Sequence, residues 1–210
     1  SNLHLRLGAL DASLEHAERA RELAERLGDA LPLAWSHHDV AAILLRLGAH
    51  DEVEPHLHAA AAGFAACGHA IGGLRIRSML GDVLARRGAH AEAEALRDRC
   101  ADDWEAAGHK IAAGYARVVL AAACLDRGAL AGARSNLAAA ERFVPDIVDP
   151  EFHARLGFHR ARLTAAEGAP DEAEAAFAAL LPTLERYTDR SLELAAIDEL
   201  ARLREAQGDP

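Results

Sequence analysis

Glycine recurs at Gly8, Gly48, Gly88, Gly128, Gly168 and Gly208, one every 40 residues along a chain of 210. Five of the six are followed by alanine (Ala9, Ala49, Ala89, Ala129 and Ala169), and a second series, Gly28, Gly68 and Gly108, falls midway between them. A period of this size means a stack of small units rather than one closed core. Each unit in such a stack leans on its neighbours. The expectation is therefore a single repeat domain over 1–210, with units near 1–30, 31–69, 70–109, 110–149, 150–189 and a partial 190–210.

Within one unit the pattern is helical. Val40, Ile43, Leu44 and Leu47 lie close to one helical stripe, and Gly48 stands where a helix ends on a residue of positive φ. His50-Asp51-Glu52 then opens a second helix, its acids suited to the positive end of the helix dipole. The same grammar predicts a helical stub before Gly8, then helices over 11–27, 31–47, 51–67, 70–87, 91–107, 110–127, 131–144, 151–167, 171–187 and 190–207. Pro32 and Pro170 fall at predicted first helical positions. Pro55 and Pro182 fall inside helices, where a kink or a shifted boundary is expected. Val144-Pro145-Asp146-Ile147-Val148-Asp149-Pro150 predicts a longer turn.

Small residues recur where helices must cross. Ala41, Gly81, Ala121, Ala161 and Ala201 precede the principal glycines, and Ser13, Val53, Ala93, Ala133 and Ala173 follow them. Ala20, Ala60, Cys100, Ala140 and Leu180 form a third set. Between the last two sets come larger side chains, Leu57, Leu137 and Phe177, expected as knobs filling the space the small positions leave. Ala17 is smaller, and Arg97 departs from the series and is expected to point outward. Aromatics are few, so the core is expected to be many Ala and Leu contacts.

The formal charge of −10 disfavours a grip on phosphate backbones, and no Lys/Arg run marks a nucleic-acid arm. No apolar stretch reaches the ~20 residues that span a bilayer, and no leader is visible. Cys67, Cys100 and Cys124 form no tight pair and read as reduced thiols of a cytoplasmic protein. The start at Ser1-Asn2 and the end just past Gly208 suggest a piece of a longer array.

The order Ala41…Gly48…Val53…Leu57…Ala60 resembles the small and large signature positions of the tetratricopeptide repeat, with a period of 40 rather than the usual ~34 residues. The resemblance covers the whole chain. It implies an all-α fold: a right-handed superhelix of about five helical hairpins. Longer helices of this kind are similar to the repeat domains of bacterial signal-transduction ATPases and of MalT-like, LuxR-type transcriptional activators. They also resemble repeats found beside adenylate-cyclase-like and pathway-specific antibiotic regulators. An Ala/Arg/Leu-rich chain whose one lysine is Lys110 fits a high-GC bacterial genome. In such regulators the repeat array is a sensor or docking arm. This chain carries neither a G-x-x-x-x-G-K-[ST] loop nor a DNA-reading helix-turn-helix.

The resemblance also implies a concave groove lined by the first helix of each hairpin. Its positions fall on Trp35, His38, Ala42, Leu45 and Arg46, then on Arg75, Ser78, Asp82, Ala85 and Arg86. They continue with Tyr115, Val118, Ala122, Leu125 and Asp126, with Arg155, Phe158, Arg162, Ala165 and Ala166, and with Ala195, Asp198, Arg202, Glu205 and Ala206. The candidate binding residues are Trp35, His38, Arg46, Arg75, Asp82, Arg86, Tyr115, Arg155, Phe158 and Arg162. Arginine and aromatic residues favour a protein or peptide partner, or a small ligand, carrying carboxylate or phosphate. The alternative is structural, with Arg/Asp pairs tying neighbouring helices and the aromatics in the core. The Lys/Asn carboxylate clamp of chaperone-binding relatives is absent from the pattern. A homodimer joined through stacking faces, with no ligand, is a second functional reading.

The twelve histidines show no metal spacing. Neighbours His37-His38 and the pair His56 and His58 do not face one another on a helix. His50 and His90 are equivalent turn positions, as are His69 and His109. Asp102-Asp103, Glu92 and Glu94 read as a solvated outer face, and no serine has a nucleophile setting. The expectation is a non-catalytic chain with no cofactor and no metal.

Overall fold

The computed structural model describes residues 2–187 and 190–207. Among them are ten α-helices and no strand: α1 (Asn2–Leu27), α2 (Ala30–Leu47), α3 (His50–Ala66), α4 (Ala70–Arg86), α5 (His90–Ala106), α6 (Lys110–Asp126), α7 (Leu130–Glu141), α8 (Pro150–Ala166), α9 (Pro170–Tyr187) and α10 (Arg190–Gln207). Gly48 shows how the turns are made. Its φ of 80° is left-handed, and the backbone N–H at this cap reaches the carbonyls of Leu44 and Leu45, ending α2. Positive φ recurs at Gly28, Gly68, Gly88, Gly108, Gly128 and Gly168, so members of both glycine series are helix stops.

Two local expectations are corrected, those at Gly8 and Pro32. Gly8 ends no stub: α1 runs through it, because a helical glycine costs only about 1 kcal/mol and nothing after Gly8 restarts a helix. Gly208, its counterpart at the other end, lies outside the described residues. Pro32 is the third residue of α2 rather than the first, still among the four N–H groups that lack an intrahelical acceptor. Pro55 and Pro182 shift no boundary, since α3 and α9 continue through them. The long turn before α8 is a 3-10 turn, Val144–Asp146, followed by Asp149, whose carboxylate caps α8 by accepting the Glu151 N–H at 3.0 Å.

The chain divides into two compact units, Ser1–Arg97 and Asp98–Pro210, the division falling within α5. In the first, α1 packs on α2, α2 on α3, and α3 on α4, while α2 also touches α4. Val40, Ala41 and Leu44 of α2 meet Val53, Leu57, Ala60 and Phe64 of α3, and Leu14 and Ala17 of α1 close the cluster from the other side. The crossing is close: a Cβ at Gly63 would stand 2.7 Å from that of Ala34. Arg97 does not point outward. Its stem covers Gly81, where an added Cβ would meet Arg97 Cγ at 2.9 Å, and its guanidinium donates to Asp82 at 2.7 Å. Glycine at position 81 makes room for an arginine stem in the leucine place.

In the second unit α6 packs on α7, α7 on α8, α8 on α9 and α9 on α10, with α6 touching α8 and α8 touching α10. Phe158 and Ala161 of α8, Ala173, Phe177 and Leu184 of α9, and Leu192, Ala196 and Leu200 of α10 form the core. Each large side chain fully buried here contributes about 1.5–3 kcal/mol. The small positions behave as expected except at Ser13, Ala20 and Ala201, which are exposed on α1 and α10.

Candidate functional site

The expected binding residues separate into two groups. In the first unit, α2 carries Trp35, His38 and Arg46, and α4 carries Arg75, Asp82 and Arg86; Trp35 and Arg75 are one repeat apart, as are Arg46 and Arg86. Trp35 is wedged edge-on against Phe64 (centroids 4.9 Å apart), His69 (5.4 Å) and His38 (5.3 Å). His69 sits at the N-terminus of α4, where its Nδ1 accepts the Gly72 N–H at 3.0 Å, so its proton is on Nε2. The Arg75 guanidinium lies over the indole, 5.9 Å from the ring centroid, an attraction of about 0.5–1 kcal/mol at an exposed site. Arg75, Arg46 and Arg86 are all exposed. Asp82 is taken up by Arg97, and His38 Nδ1 lies 2.9 Å from Asp39. Trp35, His38 and Arg75 are thus brought together, two half-buried rings with an exposed guanidinium over the indole.

In the second unit the same kinds of side chain are spent internally. The Tyr115 hydroxyl donates to Asp149 at 2.8 Å, and burial followed by that hydrogen bond pushes the phenol above its ordinary range. Arg155 pairs with Glu151 at 2.8 Å within α8. Arg162 lies between Asp126 at 2.9 Å and Glu199 at 3.5 Å. Phe158 is only 4% exposed and stacks edge-on against Phe177, so its ring belongs to the core rather than to a surface. Tyr115, Arg162 and Phe158 tie helices together, as the structural alternative anticipated, while the Arg155–Glu151 pair lies within one helix.

Three features were not legible in the sequence. His37 and His56 face one another across α2 and α3, their Nδ1 atoms 3.0 Å apart. Arg117 of α6 reaches both Asp98 and Asp102 of α5, and donates to Asn136 of α7 at 3.3 Å. His159 is half-buried, with its Nδ1 atom buried and without a hydrogen-bond partner among the described residues, and desolvation, reinforced by Arg162, pushes the imidazole down to about 4. Helical periodicity places residues on a face, but a cross-helix pair depends on the crossing. For the first two, the signal that could have found them is the repeat register itself: positions 37, 77 and 117 are equivalent.

An open cleft of about 360 Å³ lies between α8 and α9, lined by Gly157, Arg160, Ala161, Thr164, Glu172, Ala176 and Leu180. Its arginine is already paired with Glu141 at 3.1 Å. Among the described residues no three His, Cys, Asp or Glu side chains converge as metal ligands, and no helix is long and apolar enough to cross a membrane.

No family model and no curated protein sequence matches the chain. Among solved structures it is similar to BtubC (BKLC) from P. vanneervenii, with 18% identity and a TM-score of 0.74 over 96% of this chain and 85% of that one. At that identity the likeness is one of fold: consecutive helices packed in pairs along the chain.

Proposed function

We propose that this chain is a non-catalytic scaffold that holds a protein or peptide partner, or a small anionic ligand, against the first helices of its hairpins. In this reading the hairpins wind as a right-handed superhelix of the tetratricopeptide type. The chain then serves as the sensor or docking part of a cytoplasmic bacterial regulator. The observation that carries the binding reading is the surface of α2 and α4: Trp35 half-buried under an exposed Arg75, with exposed Arg46 and Arg86 on the same two helices. A rigid aromatic beside exposed guanidinium groups suits a carboxylate- or phosphate-bearing segment, because Arg offers a planar, bidentate donor fork. The regulator context rests on the resemblance of the repeat alone.

An immobilised peptide array with acidic, phosphorylated and neutral sets tests it. The chain is expected to retain acidic or phosphorylated peptides, and Arg46→Ala combined with Arg75→Ala to weaken retention roughly 10-fold or more, in line with loss of charge-assisted bonds. Retention of neutral peptides alone, or equal retention by the double variant, overturns the proposal.

Self-association is the second reading. It is favoured by Leu194 (48% exposed) and Ile197 (42%) on α10 and by Leu23 (50%) on α1. Light scattering over a concentration series separates the two: self-association requires a mass that grows with concentration, and a monomer at all concentrations removes it.

A further inference from the structure

His37 stands in α2 where Arg117 stands in α6, two repeats on. In the second unit Arg117 acts as a staple: its side chain is only 13% exposed, and it ties α6 to the helix before it through Asp98 and Asp102 and to the helix after it through Asn136. The partners have counterparts as well. Two repeats back, Asn136 corresponds to His56 of α3 and Asp98 to Glu18 of α1. The same three-helix position therefore holds a permanent cation in one unit and a pair of imidazoles in the other.

The geometry of that pair is that of a hydrogen bond. The two Nδ1 atoms are 3.0 Å apart and the ring centroids 5.2 Å apart, so the nitrogens lie nearly in line between the rings. One Nδ1–H donates and the other Nδ1 accepts. A first added proton can sit on the far nitrogen of the donor ring and leave the bond intact. A second must go onto the accepting Nδ1, which removes the only acceptor and sets two imidazolium rings in contact.

The charged groups acting on the pair come from α1 and α3. Arg21 opposes protonation of both rings, Glu18 favours it in both, Glu25 favours it at His37 and Glu52 at His56. Glu18 and Glu25 are held by Arg21 itself, at 2.7 and 3.3 Å. The net direction is downward for both rings, with burial the largest cause.

We infer that the His37–His56 pair is a proton-operated staple, tying α2 to α3 at neutral pH and releasing them when both rings become charged in mild acid. The sign follows from the direction of the shift. Below the ordinary histidine value of 6.5 the unfolded chain takes up protons that the folded pair resists, so the stability the pair supports at neutral pH is lost as pH falls.

The full chain with Trp104→Phe leaves Trp35 as the one indole reporting on α2. Thermal unfolding is followed by its fluorescence at pH 7.5 and pH 5.0, beside the same chain carrying His37→Arg and His56→Asn, which rebuilds the Arg117–Asn136 arrangement. The midpoint of the histidine-bearing chain is expected to drop by about 2–4 °C more than that of the rebuilt one. Other buried histidines are common to both and cancel in the difference. If the rebuilt chain does not fold, His56→Gln, which cannot accept the second proton, should flatten the profile in the same direction. Imidazole NMR on the unmodified chain should show two coupled steps for these rings, both below 6.5. Equal pH slopes in the histidine chain and a folded variant, or two independent titrations at the ordinary value, would overturn the staple.

Discussion

His159 is the residue whose chemistry is most at odds with its surroundings. Its ring nitrogen is buried in α8, and desolvation is joined by Arg162 and Arg155, which oppose its protonation and which Asp126 only partly offsets. The ring is held neutral down to about pH 4 against 6.5 in an open chain. Above 6.5 both states are neutral and the group contributes nothing to the pH dependence. As pH falls from 6.5 towards 4 the unfolded chain alone is protonated, and stability is lost, up to roughly 3 kcal/mol. Because Nδ1 has no partner among the described residues, His159→Leu removes no hydrogen bond of that atom. Urea unfolding should find His159→Leu no less stable than the parent at pH 7 and more stable by about 2–3 kcal/mol at pH 4.5. An unchanged slope between the two pH values would place the acid sensitivity elsewhere. Nothing in the sequence marks this histidine: positions 39, 79, 119 and 199, its repeat equivalents, hold Asp, Met, Val and Glu. Its burial is a property of the packed helices, not of the register.

At the scale of the helix, the sequence was legible wherever a backbone demand selects a residue type. The left-handed stop needs glycine, so nearly every helix end could be placed from Gly28, Gly48, Gly68, Gly88, Gly108, Gly128 and Gly168. Gly8 fails as a signal because glycine is also tolerated inside a helix, and only φ separates the two uses. Side-chain destinations were less legible. Arg97 occupies a knob place and was expected outside, but Gly81 opposite leaves room for its stem. Of the candidate binding residues, Trp35, His38 and Arg75 do meet, whereas Phe158 is core and Arg155, Arg162 and Tyr115 already hold partners. Spacing told which helix face they share, and the depth of burial came from neighbouring helices. The backbone argument predicts a clear contrast. Gly48→Ala puts a Cβ on a residue with φ of 80° and should cost roughly 1–2 kcal/mol although nothing lies within 4 Å of that Cβ. Ala49→Gly next to it, at an ordinary negative φ of −80°, should cost less, and denaturant midpoints compare them. Equal losses would mean that φ at Gly48 is not what stops α2.

At the scale of the chain, the same glycine–alanine junction makes the repeat separable. Removing residues 129–168 joins Gly128 to Ala169 and so keeps the Gly-Ala turn that Gly128-Ala129 and Gly168-Ala169 both have. Helix α6 then precedes α9 directly. Ala121 of α6 takes the place of Ala161 of α8, opposite the buried Phe177, and Gly114 takes that of Ala154, so the crossing points stay small. The lost stability is one unit and its contacts, not the fold, because the main packing partners of α6 to α10 lie one or two helices away along the chain. Removing residues 129–148 instead takes out half a period. It would set α8 directly after α6, joining two first helices whose small positions face a second helix in the parent. Circular dichroism and thermal melts should show the 40-residue deletion as helical and cooperative, with a lower midpoint. The 20-residue deletion should melt broadly or aggregate, despite losing less of the chain. If the shorter deletion folds as well as the longer one, the helices do not read the 40-residue register, and the face shared by Trp35 and Arg75 would no longer follow from it.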